Sequence, residues 1–403
     1  MKKITKLLLS TSLLCALGKN ASIDVALDSM QTCPTCATVA IETSEQSVNL
    51  NIRAKSAFLM DYDTKTTIYA QNEEKRLPIA SMCKIMTLIL SFDAIDNGSL
   101  NMDEEITISE RASSMGGSQV FLETNGQYKV SELIKSIIVC SANDSCVAMA
   151  ERIAGNESIF TEKMNEKAKE IGATNTLFAN CTGLPKEPQY SCAKDVALML
   201  KALLQHEEYY QFGKVWMDKF IHPEGRYTEI TNTNKLVRFY EGCDGGKTGF
   251  TNEAGFCLAA TAKRKNMRII SVVIGEENSK NRFDDVRTMF DYAFANYTVS
   301  PIVESGAILE ERAVVSGGKI KTVSVCPQRS AFAFSKRGEK LNYSTQTNFF
   351  KVSAPVKKGQ TVGEIVVFKD GIEVDKVSLV ANEEIEKANF LDYFKDIARK
   401  WNG

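Results

Sequence analysis

The chain has 403 residues, enough for two domains or for one large domain with an appendage, and its 44% hydrophobic and 25% charged residues are typical of a globular protein. The net charge of -1 argues against broad electrostatic attraction to nucleic acid, so we expect no nucleic-acid partner. With only 2 histidines, chemistry built on several histidines is disfavoured, and a general base would be lysine, aspartate or glutamate.

The N-terminus is typical of a secretory signal peptide. Three lysines precede a short apolar run from Leu7 to Leu17, and small residues follow at the cleavage positions. We place a signal peptide at residues 1–18, because the apolar run is too short for an ordinary spanning helix. An uncleaved membrane anchor is the alternative. Residues 19–48 are polar and are interpreted as a linker. The protein is therefore expected to be exported, either periplasmic or peripheral on the outer face of the cytoplasmic membrane.

The cysteine content fits export but does not define a scaffold. Ten of the 11 cysteines follow the signal peptide, which suggests disulfides, although their irregular spacing leaves the pairing open. Cys33 and Cys36 form a lone CxxC that could be a redox pair, half of a metal site or a local disulfide, and the lack of a second CxxC disfavours a metal. Cys140, Cys146 and Cys257 lie in apolar segments and are expected to be small buried hydrophobes.

The first folded region begins with strands and continues with helices. Residues 54–72 predict two strands joined by a turn at Asp61–Thr64. An apolar helix is expected to start near Ser81. Two amphipathic helices are predicted further along the chain, at 157–171 and from residue 191 onwards.

Residues 131–155 predict two helices that are interrupted at Ser141–Asn143. Asp144 is placed to cap the second helix, and Gly155 to end it. Strand-like runs then return as "GGKTGF", "GFCLAATAK" and "MRIISVVIGE", followed by a helix in "NRFDDVRTMFDYAFANY". This order predicts an α/β (α+β) domain at 49–297 with an antiparallel sheet and a separate helical cluster.

The composition changes after Thr298. Residues 298–382 alternate short strands with tight turns, and Asp370-Gly371 between apolar runs is a strong hairpin signal. We therefore predict a small C-terminal all-β domain.

The last segment, residues 383–403, has apolar residues at helical spacing and basic and acidic residues on the other face. The apolar positions are Ile385, Phe390, Leu391, Phe394, Ile397, Ala398 and Trp401. Two interpretations remain open from the residues alone: a terminal helix docked on its own domain, or an amphipathic helix lying in a membrane surface with Trp401 at its boundary.

Ser81 and Lys84 stand three residues apart, so that a helix places them on one face. A serine hydroxyl needs a base to become a nucleophile, and a lysine can act as that base when burial lowers its pKa. The spacing is common, however, and Lys84 alone would more often be an ordinary helix residue.

Two further motifs change this interpretation. Ser141-Ala142-Asn143 lies at a helix break, and Lys247-Thr248-Gly249 lies on a strand that is followed by a second strand from Gly255. With Ser81 and Lys84, and in this order, they form the signature of penicillin-recognising serine enzymes. From about residue 50 to 403 the chain resembles the serine-type D-alanyl-D-alanine carboxypeptidases, the low-molecular-mass penicillin-binding proteins.

The resemblance implies a penicillin-binding or β-lactamase-like transpeptidase fold for the catalytic domain and a role for each matching residue. Ser81 would be the acylated nucleophile and Lys84 its general base. Ser141 would relay protons, and Asn143 would hold the substrate amide.

For the third motif, the resemblance implies that Lys247, Thr248 and Gly249 line the cleft. The backbone N–H groups of Ser81 and Phe250 would form the oxyanion hole. Arg282 would draw the terminal carboxylate of the substrate; without the resemblance it would be a solvated residue at a helix start.

Two positions depart from the family pattern. Cys83 lies between the expected nucleophile and base; we expect it to point into the core, although it could be oxidised there. Phe250 follows the third motif where some relatives carry His, which affects the expected shape of the cleft.

The resemblance implies a peptidoglycan carboxypeptidase that removes the terminal D-Ala from the pentapeptide stem without a metal or an organic cofactor. β-Lactams should acylate Ser81. The alternatives are a β-lactamase, a peptidoglycan D,D-endopeptidase and a catalytically silent wall-binding protein. The additional β domain argues against the first, and the intact Ser81, Lys84 and Lys247 argue against the last.

Overall fold

The structure, a computed structural model, describes residues 48–340 and 342–401. The predicted signal peptide at 1–18 and the linker up to residue 47 lie outside the described residues, as do Cys33 and Cys36. The fold confirms a mixed α+β catalytic region followed by an all-β region.

The strands of the first region are β1 (Ser56–Asp61), β2 (Thr67–Gln71), β3 (Glu105–Thr107), β4 (Gln127–Lys129), β5 (Met217–Ile221), β6 (Tyr227–Thr231), β7 (Cys243–Thr251), β8 (Gly255–Arg264) and β9 (Met267–Glu276). Its helices are α1 (Lys84–Asp96), α2 (Glu110–Ser113), α3 (Val130–Val139), α4 (Asn143–Ala154), α5 (Glu157–Glu170), α6 (Ala193–Leu203), α7 (Tyr209–Gly213), α8 (Leu236–Phe239) and α9 (Ser279–Asn296).

One antiparallel sheet with the strand order β2-β1-β9-β8-β7 divides this region into two cores. Successive strand residues point to opposite faces, and β1 illustrates the consequence. Phe58 and Met60 enter the core of the helical cluster, whereas Ala57 and Leu59 enter the core beneath α9. All residues of the central strand β9 are buried, as its long apolar run predicts.

Helix α1 is buried along most of its length inside the helical cluster. A single 3₁₀ turn at Ala80–Cys83 precedes it, so the predicted helix start is confirmed but Ser81 lies in the tighter turn. The break between α3 and α4 and the helix end at Gly155, which has φ 79°, are also confirmed.

The predicted capping role of Asp144 is wrong. The residue before α4 is Ala142, which makes no side-chain cap, and Asp144 lies within the first turn. Its carboxylate instead accepts hydrogen bonds from the N–H groups of Val120 and Leu122, at 3.0 and 3.2 Å. It also accepts from the N–H of Ser145 in the first turn of α4 at 2.9 Å, so Asp144 joins this helix end to a distant loop.

The C-terminal region contains β10 (Tyr297–Val303), β11 (Arg312–Ser316), β12 (Thr322–Pro327), β13 (Ala331–Lys336), β14 (Tyr343–Phe349), β15 (Val352–Ser353), β16 (Thr361–Lys369) and β17 (Ile372–Ala381), followed by α10 (Phe390–Trp401). A six-stranded sheet has the order β14-β16-β17-β12-β11-β15, and β10 pairs with β13. Asp370 and Gly371 both have positive φ, at 51° and 77°, as the predicted hairpin turn between β16 and β17 requires.

The terminal helix begins later than predicted. Ile385 is 2% exposed in the β-domain core and its backbone pairs with Val356, so it does not belong to the apolar face of a helix. Phe390, Phe394 and Trp401 of α10 are exposed. Over the described part of the chain, no helix combines the length and apolarity needed to cross a membrane.

The expected disulfides are not formed among the cysteines that the structure describes, because all eight are free. Cys146 and Cys257 are buried, as expected, whereas Cys140 is only partly buried.

A buried acidic pair joins the end of β9 to the first turns of α9. Asp285 accepts hydrogen bonds from the Arg53 N–H at 2.6 Å and from its guanidinium at 2.6 and 3.0 Å. Glu276 is 1% exposed beside Asp285. Burial, together with the nearby charge of Asp285, raises the pKa of Glu276 to about 8, so Glu276 is a neutral acid at neutral pH.

This pair predicts a pH-dependent stability. The unfolded chain loses the Glu276 proton near pH ~4.3 and the folded chain only near about 8, so the free energy of unfolding should fall with rising pH between these values, by about 1.4 kcal/mol per pH unit at most. Glu276→Gln remains neutral at every pH, so its free energy of unfolding relative to the wild type should rise across this window and level off above it. Urea unfolding at several pH values tests this; a constant difference between the two proteins would contradict it.

Candidate active site

Ser81 and Lys84 are in direct contact at the start of α1. Lys84 Nζ lies 3.0 Å from Ser81 Oγ and donates to the carbonyl oxygen of Thr182 at 2.6 Å. The Lys84 side chain is fully buried, and this burial lowers its pKa. A lysine held this way can be neutral, and a neutral amine can accept the hydroxyl proton of the serine.

The turn that carries Ser81 has a strained backbone and close neighbours. Ala80, directly before the serine, has a φ of 48°, which is rare for a residue with a side chain. A Cβ at Gly249 would lie 2.6 Å from Ile79 O, and one at Gly183 would overlap with Ala80 O. The two glycines therefore allow β7 and the 180–184 loop to lie against the nucleophile turn.

This packing also brings the two expected oxyanion donors onto adjacent segments. Ser81 belongs to the 3₁₀ turn, and Phe250 follows Gly249 on β7. The Phe250 side chain is 50% exposed, and its ring stacks on that of Phe256 with the centroids 4.2 Å apart.

The second motif presents polar atoms without protein partners. Ser141 has a φ of 66°, and its buried Oγ has no hydrogen-bond partner among the described residues. Asn143 Nδ2 donates to Gly116 O at 2.7 Å, but Asn143 Oδ1 has no hydrogen-bond partner in the described part of the chain. Such buried atoms are rare in proteins and indicate a site that a ligand or water completes.

The loop at 116–122 is attached to this motif by several hydrogen bonds. Asn143 N donates to Ser118 O at 2.7 Å, in addition to the bond from its side chain to Gly116. Asp144 accepts from the N–H groups of Val120 and Leu122, further along the same loop. Sequence reasoning missed Asp144 as a positioning residue; the only signal was an acid directly after the second motif, which is also the pattern of a helix cap.

The third motif lies on the edge strand β7 with its lysine turned inward. Lys247 is 1% exposed, and burial holds its pKa well below the usual range. Repulsion from Lys84 lowers the Lys247 pKa further, so the two amines are close enough to oppose simultaneous charging. Burial is the largest cause of the lowered pKa of Lys84 itself.

Thr233 connects the end of α3 to the third motif, and sequence reasoning missed it too. Its hydroxyl accepts from Thr248 Oγ1 at 2.8 Å, and its N–H donates to Val139 O at 3.0 Å at the end of α3. The residue has no distinctive sequence context, because its role comes from a contact between distant segments.

Arg282 is not a solvated residue. It is 9% exposed, and its guanidinium donates to the carbonyl oxygens of Gly249 and Cys257 at 3.2 and 3.4 Å. Burial lowers its pKa to about 10, so it remains charged at neutral pH. It thus braces β7 and β8 and places a positive charge behind the third motif.

Cys83 points into the core, as expected. It is fully buried, its Sγ donates to Asn180 O at 3.2 Å, and burial raises the pKa of the thiol. A buried neutral thiol reacts poorly with oxidants.

Comparison with known proteins agrees with this geometry. Residues 41–278 match the D-alanyl-D-alanine carboxypeptidase family, Peptidase S11, and residues 297–387 match the C-terminal domain of penicillin-binding protein 5. The chain is 40% identical to the D-alanyl-D-alanine carboxypeptidase DacF of Bacillus subtilis over 90% of its own length and 93% of that protein.

Solved structures give the same result. A crystal structure of penicillin-binding protein 5 from Haemophilus influenzae has a TM-score of 0.66 and 30% identity over 83% of this chain and 98% of that one. Penicillin-binding protein D2 from Listeria monocytogenes in its ampicillin-bound form has a TM-score of 0.55 and 28% identity over 61% of this chain and 100% of that one. The chain therefore belongs to the serine D-alanyl-D-alanine carboxypeptidase family of low-molecular-mass penicillin-binding proteins.

Asp144 yields a prediction specific to this site. Asp144→Ala removes the acceptor of three buried N–H groups, those of Val120, Leu122 and Ser145, so the free energy of unfolding should fall by about 2 kcal/mol or more. Acylation by a fluorescent penicillin should slow about tenfold or more, since Ser141 and Asn143 lose their fixed loop. Asp144→Asn keeps one acceptor oxygen and should be intermediate.

Asp195→Ala is the matched control. Asp195 is also a buried acid in the first turn of a helix, and it accepts from Asn175 N and Thr176 Oγ1, which lie outside the three motifs. This variant should lose stability but keep its acylation rate. Equal acylation by both alanine variants would contradict a positioning role for Asp144.

Proposed function

We propose that the chain removes the terminal D-alanine from the pentapeptide stem of peptidoglycan through an acyl-enzyme on Ser81. The observation that carries this proposal is the 3.0 Å contact between Ser81 Oγ and the Nζ of a fully buried Lys84. As in its family, acylation of the same serine by β-lactams would block the enzyme.

The first half of the reaction is acylation. Ser81 Oγ attacks the carbonyl carbon between the two terminal alanines, and its proton passes to the neutral Lys84 Nζ. The N–H groups of Ser81 and Phe250 stabilise the negative oxygen of the tetrahedral intermediate. The C–N bond then breaks, and the leaving nitrogen of D-Ala takes a proton, which the unpaired hydroxyl of Ser141 can relay from Lys84.

The second half is hydrolysis of the ester. A water molecule gives a proton to Lys84 and attacks the acyl carbon, and the proton returns to Ser81 Oγ as the ester bond breaks. The same base thus serves both halves, which requires that its amine be restored to the neutral form.

Substrate binding is assigned to the second and third motifs. Asn143 Oδ1 has no partner among the described residues and can accept an N–H of the substrate peptide. Lys247 and Thr248 lie on the strand beside Ser81, and Arg282 adds charge behind Gly249. The positive charge of Arg282 favours a substrate that ends in a carboxylate.

The activity is tested with a short peptide ending in D-Ala-D-Ala. The wild type should release free D-Ala and form a long-lived penicillin adduct on Ser81. Ser81→Ala should abolish both, and Lys84→Arg should lower acylation by about a hundredfold or more because arginine stays charged. The wild-type rate should rise with pH, with a midpoint below the ordinary lysine value of 10.5. Penicillin labelling without release of D-Ala would contradict the carboxypeptidase, and rapid turnover of penicillin would indicate a β-lactamase.

We further propose that the protein is exported and associates peripherally with the membrane surface through α10. The exposed apolar side chains of this helix support the proposal, with Phe390, Phe394 and Trp401 between 63% and 86% exposed. The signal-like sequence at 1–18 supports export.

Vesicle binding tests the role of α10. Phe390→Ser/Phe394→Ser should weaken binding to anionic phospholipid vesicles about tenfold or more, because two aromatic side chains no longer enter the interface. Release of D-Ala from a soluble peptide should not change. Ile308→Ser/Val314→Ser removes two apolar side chains of the β domain that are 64% and 67% exposed, and serves as the control. Equal vesicle binding by the two double variants would contradict the proposal.

A further inference from the structure

A groove lies between the catalytic region and the β domain. It consists of two cavities of about 880 and 530 Å³ that share Asp63 and Phe332 in their walls. The β1–β2 turn and the end of α6 form one side, and β13 with the β16–β17 hairpin forms the other. Neither cavity is lined by a residue of the three motifs, so the groove is separate from the site around Ser81 and Lys84.

The groove is rich in positive charge. Seven cationic side chains line it, against four acidic ones. The cationic residues are Lys65, Lys201, Lys214, Lys263, Arg268, Arg329 and Lys369. Two of the four acids are already neutralised, because Asp375 is paired with Arg329 and Asp244 with Arg268.

Three lysines of the groove are not paired with a carboxylate among the described residues. Within the described ranges, Lys65, Lys214 and Lys263 form no ion pair. Lys201 is held near the centre, where its Nζ donates to Tyr62 O at 2.5 Å and lies 3.9 Å from the centroid of the Tyr62 ring.

Repulsion among these cations is visible at Lys201. Burial is the largest cause of its lowered pKa, and the charges of Lys65 and Arg329 lower the pKa further, whereas those of Asp63 and Asp61 raise it. Gathering like charges in a partly enclosed space is unfavourable unless an anion offsets them. Because residues from both regions contribute, the anion would bridge them.

Aromatic rings accompany the cations along the groove. Lys369 Nζ is 5.9 Å from the centroid of the Tyr343 ring, and the Arg268 guanidinium is 5.0 Å from that of Tyr210. Phe332 lies where the two cavities meet. Such walls combine apolar faces with N–H donors, which suits an extended ligand that carries carboxylates on an otherwise weakly polar frame.

We propose that this groove is a second binding site, which takes a carboxylate-bearing strand of the polymeric substrate next to the stem that is cleaved. The identity of this ligand rests on the proposed function, since the substrate is then one unit of a polymer whose peptide stems carry carboxylates. The groove would hold the enzyme on the polymer while Ser81 acts on a nearby stem, and so favour polymeric over short substrates.

The test compares the wild type with Lys65→Glu/Lys369→Glu, which reverses one charge on each side of the groove. The probe is insoluble peptidoglycan stripped of phosphate-bearing polymers, assayed by co-sedimentation. Binding at low salt should weaken about fivefold or more, and the difference should narrow as added salt screens the charges. D-Ala release from a short soluble peptide should remain within about twofold of the wild type, because neither lysine belongs to the catalytic site.

The matched control is Lys169→Glu/Lys358→Glu, which makes the same change in net charge on exposed positions outside the groove, one in each region. Equal sedimentation of the two double variants would overturn the proposal. A loss of binding seen only with unstripped walls would also overturn it, in favour of a phosphate ligand. Failure of the wild type to cleave the short peptide would instead overturn the proposed function. The sedimentation comparison tests binding in the groove independently of that activity.

Discussion

Desolvation of the Lys84 amine is the constraint on which the rest of the site depends. A lysine in water is charged and cannot accept a proton from a serine, whereas complete burial disfavours the charged form. Burial requires α1 to run through the middle of the helical cluster, and the amine must still reach Ser81 Oγ. The carbonyl of Thr182 satisfies one of its N–H groups and limits the cost of burying it.

This constraint explains the backbone around the serine. Ser81 is placed in a 3₁₀ turn ahead of the helix, with Ala80 in a left-handed conformation, which turns the hydroxyl towards the amine. Strain of this kind persists only when neighbouring segments hold it. Gly183 and Gly249 allow two such segments to lie against the turn, and one of them is the strand of the third motif.

The remaining site residues are held by contacts between parts of the chain that are far apart in sequence. The loop at 116–122 is fixed by Asn143 and Asp144, and Thr233 ties the end of α3 to Thr248. Each motif is thus supported by a segment outside the motifs. The groove beside the β domain likewise depends on distant parts of the chain, because its cations come from both regions.

Local sequence patterns by themselves determined much of this protein: the order of strands and helices, the hairpin at Asp370-Gly371, the helix break before Asn143 and the three motifs. These features depend on residues close in the chain, whose periodicity and turn preferences act independently of the rest of the fold. The family resemblance, from which the roles of Ser81 and Lys84 were predicted, also rests on motifs that are local in the sequence.

Only the tertiary structure decided the partners of the buried polar groups. Asp144 had the sequence pattern of a helix cap but binds a loop more than twenty residues earlier, and Arg282 binds strand carbonyls instead of water. Ile385 had helical spacing but is buried in the β-domain core, and the eight described cysteines are free although their number suggested disulfides. In each case the contacts of the residue depend on which distant atoms lie near it once the chain has folded. A buried polar group then forms hydrogen bonds with the partners within reach, and an apolar group packs in the core.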